Sequence, residues 1–317
     1  MKKMKIDEIK NITVVGAGSM GHSIAQVYAQ SGFEVDLIDL SEEALNRAMK
    51  LIKSNLNVLR EFDRVDINTI PFILEHIHPS TNLQGAAKKA DLIIEAVSEI
   101  PELKMKIFSV LEEYCSESTI LASNTSTLDI YKILKEIKNP KRLITHHWFA
   151  PPHIIPLVEI APGRKTSVDV VNLSIEIMEK LGKKPIVMKK FTPHYIVNRI
   201  QNAISAVMYE LILRDIATAE QIDLAIKTSL GIRLPIVGIV QSQDFTGLDL
   251  VKDIQKSMGI KVSIIDEKVE KGHLGAKTGK GFYNYNGQSE EEILQKRDRF
   301  YLKMLNYLEK INAFEPI

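Results

Sequence analysis

Through the first 190 residues, short apolar runs take turns with longer stretches in which apolar residues recur at helical spacing. Ile12, Val14 and Val15 make the first run, and residues 35–38 (VDLI) make the second. Later runs fall at residues 91–97 (DLIIEAV), 119–122, 143–145, 157–160 and 185–188. Runs that are apolar on both faces suit strands buried inside a parallel sheet. Between them, residues 41–59 combine a serine N-cap, acids in the first turn and helical apolar spacing, which predicts a helix. PELKMKIFSVLEEY and VDVVNLSIEIMEKLG predict two more. Residues 60–81 are charged and hold Pro71 and Pro79, so a short helical excursion rather than sheet is expected there. Strands alternating with helices predict a parallel sheet covered on both faces.

The first two strands enclose Gly16-x-Gly18-x-x-Gly21. The first glycine allows a tight turn, the second lets the backbone approach a pyrophosphate, and the third lets the next helix pack on the strand. That helix's N-terminus offers free N–H groups to the anion. Asp39 lies 23 residues after Gly16, where an acid meets the adenosine ribose and repels a 2′-phosphate. NAD is the cofactor this arrangement predicts.

The pattern changes after Lys190. TPHYIVNRIQNAISAVMYELILRD reads as a long apolar helix, TAEQIDLAIKTSL as a second behind a Thr-x-Glu start, and SEEEILQKRDRFYLKMLNYLEKI as a charged amphipathic helix. The fold expected is α/β: a Rossmann-type parallel-sheet domain over residues 1–189, followed by an all-α domain over residues 190–317. The helix opening the second domain is too apolar to be solvated on most faces, so burial within the domain or against a second subunit is expected.

Charge nearly cancels, 41 Lys+Arg against 40 Asp+Glu, which provides no overall field for nucleic acid or an anionic membrane. The single cysteine, Cys115, excludes an internal disulfide framework and suits a reducing cytoplasm. Neighbouring acids make it a poor nucleophile. No apolar run is long enough to span a bilayer.

Among residues able to do chemistry, His147 stands just past a strand end and Glu159 follows 12 residues later, across a turn with Pro151, Pro152 and Pro156. Such a turn can return the carboxylate to the imidazole. A His–Glu pair suits general acid/base work, because the acid fixes the tautomer and stabilises the imidazolium. A structural histidine beside proline-rich backbone is the alternative. His146 and His153 read as packing or solvent residues, and His76 and His78 lack further ligands at metal-binding spacing. Strand-end placement sends Gly16, Asp39, Glu99, Ser126 and His147 to one sheet edge.

The segments ASNTSTL (122–128), HWFAPPHIIPLVEI (147–160), PHYIVNRI (193–200) and LGAKTGKGFYNY (274–285) follow the glycine turn in order. Together they resemble the NAD-dependent L-3-hydroxyacyl-CoA dehydrogenase family across nearly the whole chain. The resemblance implies that His147 takes the proton of a 3-hydroxyl and that Glu159 orients and charge-balances it. Ser126 and Asn198 would bond the reacting oxygen or the substrate carbonyl. Gly16, Gly18, Met20, Gly21, Asp39, Glu99 and Lys104 would line the cofactor. A small-molecule substrate, an acyl-CoA thioester or a hydroxy acid, and a homodimer are implied as well.

Several positions depart from the family pattern. Ala150 replaces the usual asparagine, and His194 replaces a glycine. Asn55 and Phe62 stand nearest to where family members place a serine and a basic residue against CoA. The Pro-Pro-x-x-x-Pro-Leu-Val-Glu run is also similar to relatives that oxidise free hydroxy acids, such as gulonate 3-dehydrogenase and carnitine dehydrogenase. Ala150 and His194 leave a third reading open, an NAD-binding protein without catalysis.

Overall fold

The computed structural model describes residues 5–316, which divide into two compact units with the boundary between Ala203 and Ile204. The first unit is built in chain order from β1 (Asn11–Val15), α1 (Gly21–Gln30), β2 (Glu34–Ile38), α2 (Glu42–Glu61), α3 (Ile70–Glu75), β3 (Ile77–Ser80), α4 (Leu83–Lys89) and β4 (Leu92–Glu95). It continues through α5 (Pro101–Tyr114), β5 (Ile120–Ser123), α6 (Ile130–Ile133), β6 (Leu143–Trp148), β7 (Leu157–Pro162), α7 (Val168–Lys180) and β8 (Lys184–Val187). One eight-stranded sheet runs β3-β2-β1-β4-β5-β6-β7-β8. Its first six strands have the doubly wound order of a dinucleotide-binding fold.

Two expectations need correction. Residues 77–80, expected outside the sheet, form β3, parallel to β2 with Val35 opposite Ile77 and Ile38 opposite Ser80. β3 is an edge strand, so Pro79, which has no amide donor, is tolerated there. The sheet is also not wholly parallel, because β7 runs antiparallel to β6. Only residues 149–156 join these two strands, too few for a parallel crossover. That register puts His147 directly opposite Glu159.

The core follows the apolar runs. Val14, Val35, Leu37, Leu92, Ile94, Ile144, Val158 and Ile160 are buried with Ile24, Tyr28, Ile52 and Ile177 from the covering helices. α2 is capped as its sequence predicts, with Ser41 Oγ accepting from Ala44 N–H at 3.2 Å.

α8 (Val197–Leu213) spans the division between the units. It starts later than the apolar pattern indicates, because Pro193 precedes His194 and Tyr195, whose φ values are 64° and 49°. A side chain in the left-handed region costs about 1 kcal/mol, and glycine avoids that cost. Replacing His194 by glycine is therefore expected to raise stability by roughly 0.5–1 kcal/mol, read as a higher urea midpoint at unchanged slope.

The second unit adds α9 (Ala219–Lys227), α10 (Leu230–Thr246), α11 (Leu248–Ser257), α12 (Ser263–Glu270) and α13 (Glu290–Lys310). Capping boxes at Thr218/Gln221 and Ser289/Glu292 start α9 and α13. Asp244 is fully buried and accepts from Phe282 N–H at 2.7 Å, Tyr283 N–H at 2.9 Å and Tyr285 O–H at 3.1 Å. The GAKTGKGFYNY loop thus closes on one carboxylate, and a Cβ on Gly275 or Gly281 would lie 2.2 Å from an atom of Asp244. Ile200, Ile204, Val207, Ile212 and Leu213 of α8 are exposed. No helix among the described residues is long and apolar enough to cross a membrane.

Candidate active site

The glycine turn has the shape a dinucleotide needs. Gly16 has φ 104°, and a Cβ there would sit 2.6 Å from the Ala96 carbonyl oxygen. A Cβ on Gly21 would meet the Gly16 carbonyl oxygen at 1.7 Å, so α1 seats on the turn only without a side chain. Around Gly18 a Cβ would find nothing within 4 Å, so the backbone is open there, as the close approach of a pyrophosphate requires. Met20 stands at the N-cap position of α1, with no side-chain capping bond. Asp39, just past β2, accepts from Ala17 N–H at 2.8 Å with one oxygen and from Ser41 N–H at 3.2 Å with the other.

At the ends of β6 and β7, His147 Nδ1 lies 2.8 Å from Glu159 Oε2, and both side chains are buried. A carboxylate oxygen only accepts, so Nδ1 donates and, in the neutral ring, Nε2 keeps the lone pair. Glu159 Oε1 accepts from the N–H groups of Ile196 and Val197 at 3.1 and 3.0 Å, at the start of α8. Helix N-terminal amides favour a carboxylate. Tyr195 stacks on the imidazole at 4.5 Å and 25°, and Phe149 packs at 4.5 Å on the same ring. Asn198 Nδ2 lies 3.4 Å from His147 Nε2 and 3.5 Å from the Ser126 carbonyl oxygen. His147, Asn198 and the Ser126 loop therefore meet, and the Ser126 hydroxyl has no protein partner among the described residues.

Beneath this loop lies an ion triad that sequence reading did not reveal. Lys104 Nζ is 2.6 Å from Glu95 Oε1 and 3.2 Å from Glu99 Oε2, with its side chain 1 % exposed. Ser123 Oγ donates to Glu95 Oε2 at 2.6 Å, and Val97 N–H to Glu95 Oε1 at 2.9 Å. Glu99 Oε1 accepts from Thr125 Oγ1 at 2.5 Å, Ser126 N–H at 2.8 Å and Thr127 N–H at 2.9 Å. Burial pushes the Glu99 carboxyl up, but the bonds from Thr125 and Thr127 and the Lys104 ammonium outweigh it and hold it at about 2. Its contribution to stability is full above the ordinary glutamate range and fades as pH falls towards 2. Asn124 also escaped the sequence reading: its Oδ1 accepts from Trp148 N–H at 2.9 Å and ties the end of β5 to that of β6. An acid closing an otherwise apolar strand, Glu95, was the one available signal.

Comparison with known proteins settles the family. Residues 11–191 match the family described as 3-hydroxyacyl-CoA dehydrogenase, NAD binding domain, and residues 195–285 match 3-hydroxyacyl-CoA dehydrogenase, C-terminal domain. The chain belongs to the 3-hydroxyacyl-CoA dehydrogenase family. It is an NAD-dependent oxidoreductase of that family. A 3-hydroxybutyryl-CoA dehydrogenase of Clostridioides difficile is 32% identical over 87% of this chain and 99% of its own. A 5-formyl-3-hydroxy-2-methylpyridine 4-carboxylate 5-dehydrogenase of Mesorhizobium japonicum is 28% identical over 95% of this chain and 99% of its own. The crystal structure of a 3-hydroxyacyl-CoA dehydrogenase from Archaeoglobus fulgidus matches with a TM-score of 0.80 at 30% identity, covering 95% of this chain and 99% of that one.

In this member of the 3-hydroxyacyl-CoA dehydrogenase family, the remaining candidates lie outside the His147 cluster. His146 is fully buried, its Nε2 2.9 Å from Ser174 Oγ, and burial pushes it down to about 3. His78 and His76 sit 2.8 and 3.5 Å from Glu34. No group of three or more metal-ligating side chains occurs among the described residues. The Cys115 thiol is raised mainly by burial, a different cause from the neighbouring acids expected, and Arg142 opposes the rise. Asn55 Nδ2 donates to Gln26 Oε1 at 3.1 Å, and Phe62 is 71% exposed.

Proposed function

We propose that the protein oxidises an L-3-hydroxyacyl-CoA to the 3-ketoacyl-CoA, with His147 as general base. The observation that carries this reading is the buried His147–Glu159 pair, which leaves Nε2 as the basic nitrogen beside Asn198. Bound NAD supplies the hydride acceptor. Gly16, Gly18, Met20 and Gly21 would hold its pyrophosphate, and Asp39 its ribose, while Glu99 would line the site beside Ser126 and Lys104, buried against Glu95 and Glu99, would act through Glu99. His147 Nε2 takes the hydroxyl proton, and the Glu159 carboxylate stabilises the imidazolium that forms. Asn198 and the free hydroxyl of Ser126 hold the reacting oxygen through both states. Glu99 fixes the Ser126 backbone while Lys104 balances its charge.

In this reading residues 1–189 form the NAD-binding domain, and residues 190–317 form a helical substrate and dimerisation domain that pairs with a second copy. The exposed apolar residues of α8 support that pairing. A second substrate reading, a free hydroxy acid, draws support from α2 and the residue that follows it: Asn55 bonds within the protein and Phe62 offers no charge to a CoA. Acetoacetyl-CoA reduction and the oxidation of free 3-hydroxy acids, followed side by side through reduced NAD, separate the two. Turnover of the thioester is expected. Activity on a free acid with none on any thioester would overturn the CoA reading and leave the hydride chemistry standing.

A further inference from the structure

The loop between β6 and β7 carries a polar chain that the chemistry at His147 leaves unused. His22 Nδ1 lies 2.7 Å from the Gly18 carbonyl oxygen, and its Nε2 lies 3.2 Å from Ser23 Oγ. Ser23 Oγ is in turn 3.0 Å from His153 Nδ1. Asn55 Nδ2 reaches the same hydroxyl at 3.5 Å.

The direction of these bonds follows from one atom. A carbonyl only accepts, so in neutral His22 the proton sits on Nδ1 and Nε2 accepts. Ser23 must then donate to His22 and accept from His153 Nδ1–H. His153 Nε2 is left with a lone pair and no protein partner among the described residues. His22 and Ser23 are buried, whereas His153 is half-buried. Burial, together with His22 and Lys183, pushes His153 below the ordinary histidine range, which favours its neutral, accepting form. Lys183 Nζ bonds the carbonyls of Pro152 and, at 2.9 Å, Ile155, so the backbone on both sides of His153 is pinned.

The chain begins at the cofactor's glycine turn and ends on the loop that leaves His147. The loop that carries His153 leaves the end of β6, the strand that holds His147, so it flanks a substrate whose carbinol sits at His147. We propose that His153 Nε2 is a subsite for a hydrogen-bond donor on the substrate, beyond the reacting carbon. In a CoA thioester the donor is the amide N–H of the pantetheine arm nearest the sulfur. In a free hydroxy acid it is a further hydroxyl. The inference rests on the reaction proposed above and names a contact for its substrate.

The test pairs a change in the enzyme with a change in the substrate. Acetoacetyl-N-acetylcysteamine keeps that amide, and the acetoacetyl ethyl thioester lacks it. Wild-type enzyme is expected to prefer the amide compound by roughly three- to tenfold in kcat/KM, as one neutral hydrogen bond allows. His153→Leu should lose the preference, and His153→Gln, which keeps an acceptor, should retain part of it. Ser23→Ala, which frees the His153 tautomer, should weaken it. The same preference in wild type and His153→Leu, or none in wild type, overturns the proposal. If no thioester turns over but free acids do, the thioester reading alone has failed. The comparison then uses a 3-hydroxy acid with and without a further hydroxyl, and a preference that survives His153→Leu overturns the subsite.

Discussion

Replacing His147 by glutamine should lower kcat by two orders of magnitude or more, the usual range for removing a general base. Glutamine keeps a polar side chain between Tyr195 and Phe149 but has no nitrogen that takes a proton near neutral pH. NAD affinity, which the proposed site sets at the glycine turn and Asp39, should stay near that of the wild type. Tight NAD binding by calorimetry alongside lost turnover would therefore place the defect in chemistry rather than folding. Unchanged turnover with the true substrate would remove His147 from the mechanism.

Glu159→Gln should be nearly as severe, and for a different reason. The native carboxylate accepts three hydrogen bonds: from His147 Nδ1, Ile196 N–H and Val197 N–H. A glutamine oxygen left with the two amides turns its NH2 towards Nδ1. His147 must then accept at Nδ1 and protonate Nε2, the wrong tautomer for a base. The opposite flip satisfies His147 but sets an NH2 against two backbone donors. Either way kcat should fall by about 10²–10⁴, as when a histidine loses the acid that orients it. The variant should also lose stability, because a buried network is left half satisfied. A thermal scan and a kcat measurement on the same preparation check both effects.

The sequence made the glycine turn, Asp39 and the order of apolar strands legible because each rests on local chemistry: positive φ, a strand end, a period. It did not make β3 legible. Pro79 argues against a strand unless the strand lies at the sheet edge, and edge position depends on the other strands. Nor did it foresee the antiparallel β6–β7 pair, although that register, rather than a flexible turn, sets Glu159 against His147. Lys104, which the resemblance sets along the cofactor, is instead buried between Glu95 and Glu99. Both acids reach it from the end of β4 and the loop that follows, a proximity no periodicity encodes. His153 shows the same limit, because Ser23, its partner, lies 130 positions away.

The central claim, that His147 moves the proton of the reacting hydroxyl, is tested most directly by pH–rate profiles of the same enzyme in both directions, with chemistry made limiting. Oxidation needs the neutral imidazole, so its rate should rise with pH through a single ionisation. Ketone reduction needs the imidazolium, so its rate should fall with pH through one such ionisation, and both dependences should vanish in His147→Gln. Rates independent of pH in both directions, or a wild-type profile that survives in His147→Gln, would contradict the account.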